Sequence, residues 1–294
     1  MTFDYQCFQA PENTDPNHLF SIIIPSWNNL PYLQMCIASI ERNATFKHQI
    51  IVLANEGKDG TVQWLKARGD LDFMHATENL GICFGVNLCR SLVKTQYVLY
   101  INDDMYVCPD WDLHLKNAID AIGHQRFFLS ATMIEHTNTN NPCVILADFG
   151  DSLQTFREQA LLQTVAQLPK RDWNGATWPP SVCHVDLWDT VGGLSCEYHP
   201  GMYSDPDFSM KLWKLGIRHF QGVGKSRVYH FGSKSTKRKR MNLGRDTFFR
   251  KWQLSANDFG RYMLKCGSDF EGPLPDVELG ATVKLKNYIK RFTT

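Results

Sequence analysis

Three short apolar runs, each bounded by turn residues, constrain the fold of this chain more than any other feature. They are FSIIIP at 20–25, QIIVLA at 49–54 and YVLYI at 97–101. Each run has the length and composition of a strand that is buried on both faces. Segments with helical spacing lie between them, such as Leu33, Ile37 and Ile40 after the first run. This alternation predicts βαβ units, and therefore an α/β fold with a mostly parallel central sheet flanked by helices.

The residues that follow these strands are the expected ligand site, because parallel sheets bind ligands beyond the carboxyl ends of their strands. Asn102, Asp103 and Asp104 come directly after the third run. Adjacent carboxylates are costly to keep ionised away from water, so they need a cation, a helix N-terminus or open solvent. At this point two interpretations stay open: a ligand site, or a solvated turn that caps a helix starting at 109–111.

Charge and cysteine usage exclude several classes of protein. The 294 residues include 31 Lys and Arg against 30 Asp and Glu, and this balance predicts no nucleic-acid partner. The nine cysteines are scattered and form no C-x-x-C pair, which argues against a disulfide framework or a structural zinc site. No apolar run is long enough to span a membrane, and the first residues do not resemble a signal peptide. We expect a cytoplasmic protein, at most associated with the inner face of a membrane.

The pattern changes after residue 136. Residues 137–180 predict an elaborated region, 206–216 predict a helix, and VYH at 228–230 ends a predicted strand. Phe248, Trp252, Phe259 and Met263 have a spacing that predicts one C-terminal helix packed against the domain. The expected divisions are a polar leader at 1–19, two halves of one domain at 20–136 and 137–235, and a basic loop with a C-terminal helical extension at 236–294.

Five motifs, taken together and in order, resemble those of glycosyltransferase family 2. The first half carries SIIIPSWNNLPYLQMCIASI, IIVLANEGKDGTVQWL and NLGICFGVNLCRSLVKTQYVLYINDDM, and the second half carries YSDPDFSMKLWKLG and VYHFGSKS. The resemblance covers residues 20 to about 235. It implies a GT-A fold, a nucleotide-sugar-binding first half and an acceptor and catalytic second half. The implied reaction moves a sugar from a nucleotide diphosphate sugar to an acceptor hydroxyl with inversion.

The resemblance also assigns a metal site. Asp104 aligns with the metal-ligating carboxylate of the family, and His230 with a second ligand. Asn102 departs from the usual acid at the first position of the motif, although its amide could bind ribose or a metal-bound water. Taken alone, a histidine at a strand end is more often packed or solvated. One histidine with carboxylate and diphosphate oxygens suits Mn²⁺ or Mg²⁺ better than zinc.

The catalytic base implied by the resemblance is Asp205, in SDPDF. Inversion needs a carboxylate that accepts the proton of the acceptor hydroxyl. Asp207 is the rival for this role. Alternatively, Ser204 or Asp205 caps the helix that starts near Pro206, a role that is compatible with catalysis.

Nucleotide contacts are implied at the ends of the first strands and before the third helix. They are Pro25, Trp27, Asn28, Asn55, Glu56, Asn79 and Gly81, together with Asn102 and Asp103. Ala54 stands where many relatives have an aspartate that contacts the nucleoside, and Asn55 or Glu56 is the expected substitute. A UDP-sugar is the favoured donor, with the base left open. Ordinary packing of Trp27 and ordinary turn chemistry of the Asn-Gly pairs are the alternatives.

The acceptor is expected to be a saccharide or a lipid-linked saccharide, in polysaccharide biosynthesis. Trp173 and Trp178 could stack on sugar faces, or simply pack in the core. The basic run at 234–240 could be a solvated loop, close over the diphosphate, or touch an anionic acceptor or a membrane surface. Two other functions stay open: a non-catalytic sugar-nucleotide-binding module and a nucleotidyltransferase. The latter is disfavoured because no Gly-rich triphosphate loop follows FSIIIP.

Overall fold

A computed structural model of the protein describes residues 4–11, 17–232 and 243–292. Its strands are β1 Tyr5–Phe8, β2 Phe20–Trp27, β3 Gln49–Asn55, β4 Asp72–Ala76, β5 Tyr97–Tyr100, β6 Met105–Val107, β7 Phe127–Glu135, β8 Ile145–Leu146, β9 Trp173–Asn174, β10 Ser181–His184 and β11 His219–His230. Its helices are α1 Leu30–Asn43, α2 Thr61–Arg68, α3 Gly81–Cys89, α4 Trp111–Ile122, α5 Glu158–Thr164, α6 Val185–Val191, α7 Ser204–Lys214, α8 Gly244–Trp252, α9 Ala256–Asp258 and α10 Ala281–Lys290. A π-helical segment, Phe259–Met263, continues α9.

Within these described residues, the eleven strands form one sheet in the order β1-β4-β3-β2-β5-β10-β7-β11-β6, with β8 beside β7 and β9 beside β11. The neighbours β4, β3, β2 and β5 are all parallel. Strands β7, β8 and β11 run in the same direction as these four, because β10 is antiparallel to both β5 and β7. The prediction of an α/β fold with a mostly parallel sheet is confirmed. Both predicted halves of the chain contribute to this single sheet.

The predicted apolar runs become strands because both of their faces are covered. In β2 every residue except Trp27 is buried, and in β3 every residue is buried. Helix α1 begins after Asn29, with a proline in its first turn, and buries Leu33, Ile37 and Ile40 against one face of the sheet. Helices α2 and α4 pack on that same face, whereas α3, α6, α7 and α8 contribute to the core cluster on the other face.

Three features differ from the expectations. The polar leader contributes β1, which pairs antiparallel with β4 at an edge of the sheet; four residues are too few for a recognisable alternation. The expected single C-terminal helix is two pieces, because Gln253 has φ 55° and ends α8. Residues 281–290, where no individual helix was expected within the C-terminal extension, form α10.

The structure also bears on the cysteines and on the membrane. All nine cysteine thiols, each within the described ranges, are free, and six of them are buried. The six buried cysteines pack as small apolar side chains. In the part of the chain that the structure describes, no helix combines the length and the apolar character needed to cross a bilayer.

Candidate active site

The Asn102-Asp103-Asp104 motif lies between β5 and β6, at the carboxyl end of the parallel strands. Asp103 and Asp104 are 5% and 4% exposed, so the alternative of a solvated capping turn is wrong. The backbone carbonyl of Asp104 accepts a hydrogen bond from the Phe231 N–H. Two carboxylates are therefore held at a buried strand end, where they need a compensating positive group.

His230 ends β11 and lies between two carboxylates. The register of the sheet places it opposite Glu135 of β7 on one side and Met105 of β6 on the other. Its Nδ1 lies 3.1 Å from Glu135 Oε1, and its Nε2 lies 3.6 Å from Asp104 Oδ1. Burial lowers the pKa of His230, but the hydrogen bond to Glu135 and the charges of Asp104 and Glu135 outweigh it and raise the pKa above its usual value.

The Nε2 atom of His230 has the properties expected of a metal ligand. It is buried, and within the described residues it has no hydrogen-bond partner, which is rare for a buried polar atom. Glu135 holds the opposite nitrogen, as carboxylates commonly do behind metal-binding histidines. No group of three or more His, Cys, Asp or Glu that could hold a metal occurs among the described residues. Asp104 and His230 are two groups that could hold a divalent cation whose other ligands are substrate phosphate oxygens and water.

Asp205 lies in the first turn of α7, next to a small cavity that is also lined by Tyr100, Thr177 and Phe208. The residue as a whole is partly exposed, but its carboxyl group is enclosed. Burial raises its pKa from 3.8 to about 7, and no described charge or donor offsets this. A carboxylate with this pKa suits a general base near neutral pH.

Asp207 has a different environment, although it lies only two residues further on. Its carboxylate is 0% exposed. It accepts hydrogen bonds from Ser195 Oγ at 2.6 Å, Trp252 Nε1 at 2.7 Å and Lys251 Nζ at 3.1 Å. These contacts tie α7 to α8 and leave little capacity for a substrate proton. Of the two candidates for the base, Asp205 is therefore the more open to a substrate, and its role stays a prediction. Neither Ser204 nor Asp205 caps α7, because the residue before the helix is Tyr203, which makes no side-chain capping hydrogen bond.

Tyr100 lies near both the Asn102-Asp103-Asp104 motif and Asp205. Its hydroxyl donates a hydrogen bond to Asn102 Oδ1 at 2.9 Å. Burial raises the pKa of Tyr100 well above its usual value, and the carboxylates of Asp205, Asp104 and Asp103 raise it further. The phenol is thus close to the acids of both motifs, which are about a hundred residues apart in the sequence.

The residues expected to bind the nucleotide form a hydrogen-bonded network at the ends of β2 and β3. Glu56 Oε1 accepts from Trp27 Nε1 at 2.9 Å, and Oε2 accepts from Asn28 Nδ2 at 3.1 Å. Lys58 Nζ lies 3.2 Å from the same Oε2. Partial burial raises the pKa of Glu56, but these donors outweigh it and lower the pKa. Glu56 thus orients the side chains of Trp27 and Asn28.

The other expected nucleotide contacts shape the same rim through the backbone. Asn55 Oδ1 accepts from the Leu80 N–H at 3.0 Å, and Asn79 Oδ1 from the Gly81 N–H at 2.7 Å. Gly81 has φ 66°, and a Cβ there would lie 2.8 Å from Pro200 O; only glycine fits this close approach. Pro25 is buried within β2, opposite Leu53. Their roles toward a nucleotide stay predictions.

The two expected acceptor tryptophans have different surroundings. Trp173 is 3% exposed, packs on Gly222 and donates from Nε1 to Thr132 Oγ1 at 2.8 Å. This is a core position, so we leave Trp173 out of the acceptor site. Trp178 is only partly buried and remains a candidate. The basic run at 234–240 lies outside the described residues.

Sequence analysis missed Glu135 and Tyr100. The signal for Glu135 was a carboxylate directly after the apolar run FFLSATMI, the same signal that singled out Asp103 and Asp104. Its relation to His230 depends on the pairing of β7 with β11, which the sequence pattern alone does not give.

The chain has the α/β fold of GT-A glycosyltransferases of known structure. The family model for glycosyl transferase family 2 matches residues 21–168, and the chain belongs to that family. No curated protein sequence matches the chain significantly.

Solved structures share the fold at low sequence identity. S. aureus TarS 1-349 is 18% identical with a TM-score of 0.51, over 72% of this chain and 60% of that one. GalNAc-T7 with UDP, GalNAc and Mn²⁺ is 12% identical with a TM-score of 0.54, over 74% and 44%. The mannosyltransferase PcManGT from Pyrobaculum calidifontis, with GDP-Man and Mn²⁺, is 15% identical with a TM-score of 0.51, over 82% and 63%. The chain thus spans less than two thirds of each of these proteins.

Proposed function

We propose that this protein is a metal-dependent, inverting glycosyltransferase whose metal ligands are Asp104 and His230 and whose base is Asp205. The observation that carries the proposal is the buried Nε2 of His230, which faces Asp104 at 3.6 Å and has no hydrogen-bond partner among the described residues. It lies in the same crevice as a carboxyl group with a raised pKa. A bound Mn²⁺ or Mg²⁺ would stabilise the charge that develops on the departing diphosphate.

Asp205 accepts the proton of the acceptor hydroxyl as the acceptor oxygen attacks the anomeric carbon. The bond between that carbon and the diphosphate oxygen breaks, and its electron pair leaves with the nucleoside diphosphate. Attack from the face opposite the leaving group inverts the anomeric centre. Asp104 and His230 hold the diphosphate side of the crevice, and Glu135 fixes the orientation of the imidazole.

The donor is proposed to be a UDP-sugar, bound along the rim formed by Trp27, Asn28 and Glu56. Among the similar structures, GalNAc-T7 and a second structure of TarS 1-349 contain UDP, and PcManGT contains GDP-Man. The identity of the nucleotide base therefore needs a direct test. The acceptor is proposed to be a saccharide or a lipid-linked saccharide that approaches Asp205, with Trp178 as a stacking surface.

A thermal-shift panel tests the donor and the metal together. UDP, GDP, CDP and dTDP are each added with and without Mn²⁺ to the wild type, Asp104→Ala and, as a control, Asp189→Ala, an exposed acid paired with Arg90. A ligand at 100 times its dissociation constant stabilises the fold by about 2.7 kcal/mol, which is readable as a change in Tm.

We expect one diphosphate to raise the Tm only with Mn²⁺, in the wild type and Asp189→Ala but not in Asp104→Ala. Donor turnover that is present in the wild type and lost in Asp205→Asn indicates an enzyme. Nucleotide binding without turnover in the wild type indicates a non-catalytic binding module, which needs no base. Stabilisation by a nucleoside triphosphate alone would favour a nucleotidyltransferase. If no nucleotide raises the Tm under any condition, the proposal is wrong.

A further inference from the structure

The outer face of α10 is apolar and faces solvent. Leu285, Tyr288, Ile289 and Phe292 follow the spacing i, i+3, i+4, i+7, which places them on one side of the helix and its final turn. Their side chains are 58%, 55%, 55% and 76% exposed. Four of the eight exposed large apolar side chains in the described residues thus lie in this one segment. Such a concentration indicates a surface that contacts another body.

The opposite, polar face of α10 holds the helix to the domain. Asn287 is 5% exposed and donates from Nδ2 to Asp258 Oδ2 at 3.1 Å. Its Oδ1 accepts from the Ser255 N–H at 3.2 Å, and Lys286 Nζ lies 3.1 Å from Asp258 Oδ1. Lys290 lies over the Phe249 ring at 4.6 Å. An amphipathic helix normally buries its apolar face, so specific polar contacts fix this helix in the reverse orientation.

The charged residues of α10 and its final turn are all basic. Residues 281–292 contain Lys284, Lys286, Lys290 and Arg291 and no acid. A groove of about 540 Å³ runs beside the helix and is lined by Leu254, Leu279, Leu285 and Tyr288. Basic residues flanking aromatic and aliphatic side chains are typical of helices that lie in the interface of a membrane with anionic lipids.

We propose that the outward face of α10 docks the protein on an anionic phospholipid surface. Leu285, Tyr288, Ile289 and Phe292 enter the boundary between headgroups and acyl chains, and Lys284 and Arg291 contact the phosphates. The basic run at 234–240 is not needed for this contact. The proposal does not depend on the catalytic assignment, because binding requires neither donor nor metal.

Vesicle flotation tests the proposal with the full chain. The vesicles are phosphatidylcholine alone or phosphatidylcholine with 30% phosphatidylglycerol, a mole fraction of roughly one third chosen to give a negative surface. The variants are Leu285→Ser/Ile289→Ser, Lys284→Glu/Arg291→Glu and the control Leu146→Ser, whose side chain is 57% exposed on β8.

We expect the wild type and Leu146→Ser to float only with anionic vesicles, and the other two variants to bind them at least about tenfold more weakly. Because the substituted side chains are exposed, each variant should keep the wild-type Tm and the Mn²⁺-dependent response to nucleotide. Light scattering after size exclusion shows whether a second copy covers the face instead.

Three results would overturn the proposal. The first is wild type that binds neither kind of vesicle. The second is binding that is unchanged in Leu285→Ser/Ile289→Ser, which would place the membrane contact elsewhere. The third is a dimer that Leu285→Ser/Ile289→Ser dissociates, which would show that α10 pairs with a second copy.

Discussion

Glu56 and His230, on the nucleotide side and the catalytic side of the crevice, differ in how completely their polar atoms are hydrogen-bonded. On the nucleotide side, Glu56 has donors at both carboxylate oxygens, from Trp27 and Asn28. On the catalytic side, His230 Nε2 is buried without a hydrogen-bond partner in the described part of the chain, and burial raises the pKa of Asp205 to about 7. The Glu56 carboxylate is thus satisfied by donors from the described residues, whereas His230 Nε2 is not.

This difference has an energetic consequence. Satisfied polar groups stabilise the fold, whereas a buried group without a partner costs stability until a ligand supplies one. Groups of this kind are commonly found where a site trades stability for activity. Substitutions on the catalytic side, at His230 or Asp205, should therefore lower activity without destabilising the fold. Substitutions on the nucleotide side, such as those of Glu56, should have weaker effects on activity.

The largest expected effect is that of Asp205→Asn. The amide cannot accept the acceptor proton, so kcat should fall by about 10² to 10⁴. Metal-dependent stabilisation by the nucleoside diphosphate should persist, which a thermal shift measures. Asp207→Asn is the matched control: its loss of buried contacts should cost about 1–3 kcal/mol of unfolding free energy while most of kcat is kept. Equal losses of kcat in both variants would contradict the assignment.

The pH dependence of Asp205 gives a second test. A base must be deprotonated, so kcat/KM of the wild type should fall as the pH drops through about 7. The folded protein binds this proton more tightly than the unfolded chain, so stability is lost as the pH rises from about 4 to about 7. Asp205→Asn removes that loss, and its Tm should exceed the wild-type Tm by a few degrees at pH 8 but not at pH 4. A constant Tm difference would contradict the raised pKa.

The next largest effect is expected for the metal ligands. His230→Ala and Asp104→Ala should each weaken Mn²⁺ binding in the presence of nucleoside diphosphate by more than about 100-fold, since even residues behind the ligands change metal affinity 10- to 100-fold. Isothermal titration measures this. His75, whose Nε2 lies 3.1 Å from a backbone carbonyl, gives the control His75→Ala with unchanged metal binding.

A smaller effect is expected for Glu135→Gln. The amide keeps the size of the side chain but loses the charge that supports the His230 imidazole, so Mn²⁺ affinity should fall by about 10- to 100-fold. Glu197→Gln removes an exposed acid paired with Lys251 and should leave the affinity unchanged. If Glu135→Gln binds Mn²⁺ like the wild type, the role of Glu135 is limited to packing.

The smallest effect is expected on the nucleotide side. In Glu56→Gln the amide oxygen can still accept from Trp27, but the hydrogen bond from Asn28 and the pair with Lys58 are lost. Each of these two contacts is worth about 1 kcal/mol or less. The donor KM should rise only a few-fold, with unchanged Mn²⁺ affinity and kcat. A loss of nucleotide affinity above about 100-fold would show that Glu56 itself binds the nucleoside and would remove the contrast between the two sides.

The sequence predicted much of the fold and part of the site. The runs that became β2, β3 and β5 were predictable because a strand buried on both faces has a local signature of apolar and β-branched residues. Asp104, His230 and Asp205 were predictable because they lie within motifs. Glu135 was not, because its role depends on strand register, and Trp173 was assigned to the acceptor because a buried and an exposed tryptophan look alike in a sequence.

The sequence by itself determined the βαβ alternation, the family and the positions of the acids at strand and helix ends. Tertiary structure alone decided which of those groups are satisfied: Asp205 and Asp207 are two residues apart, yet only Asp207 meets Ser195, Lys251 and Trp252. The physical reason is that secondary structure follows from neighbours along the chain. The protonation and partners of a buried group follow instead from neighbours in space.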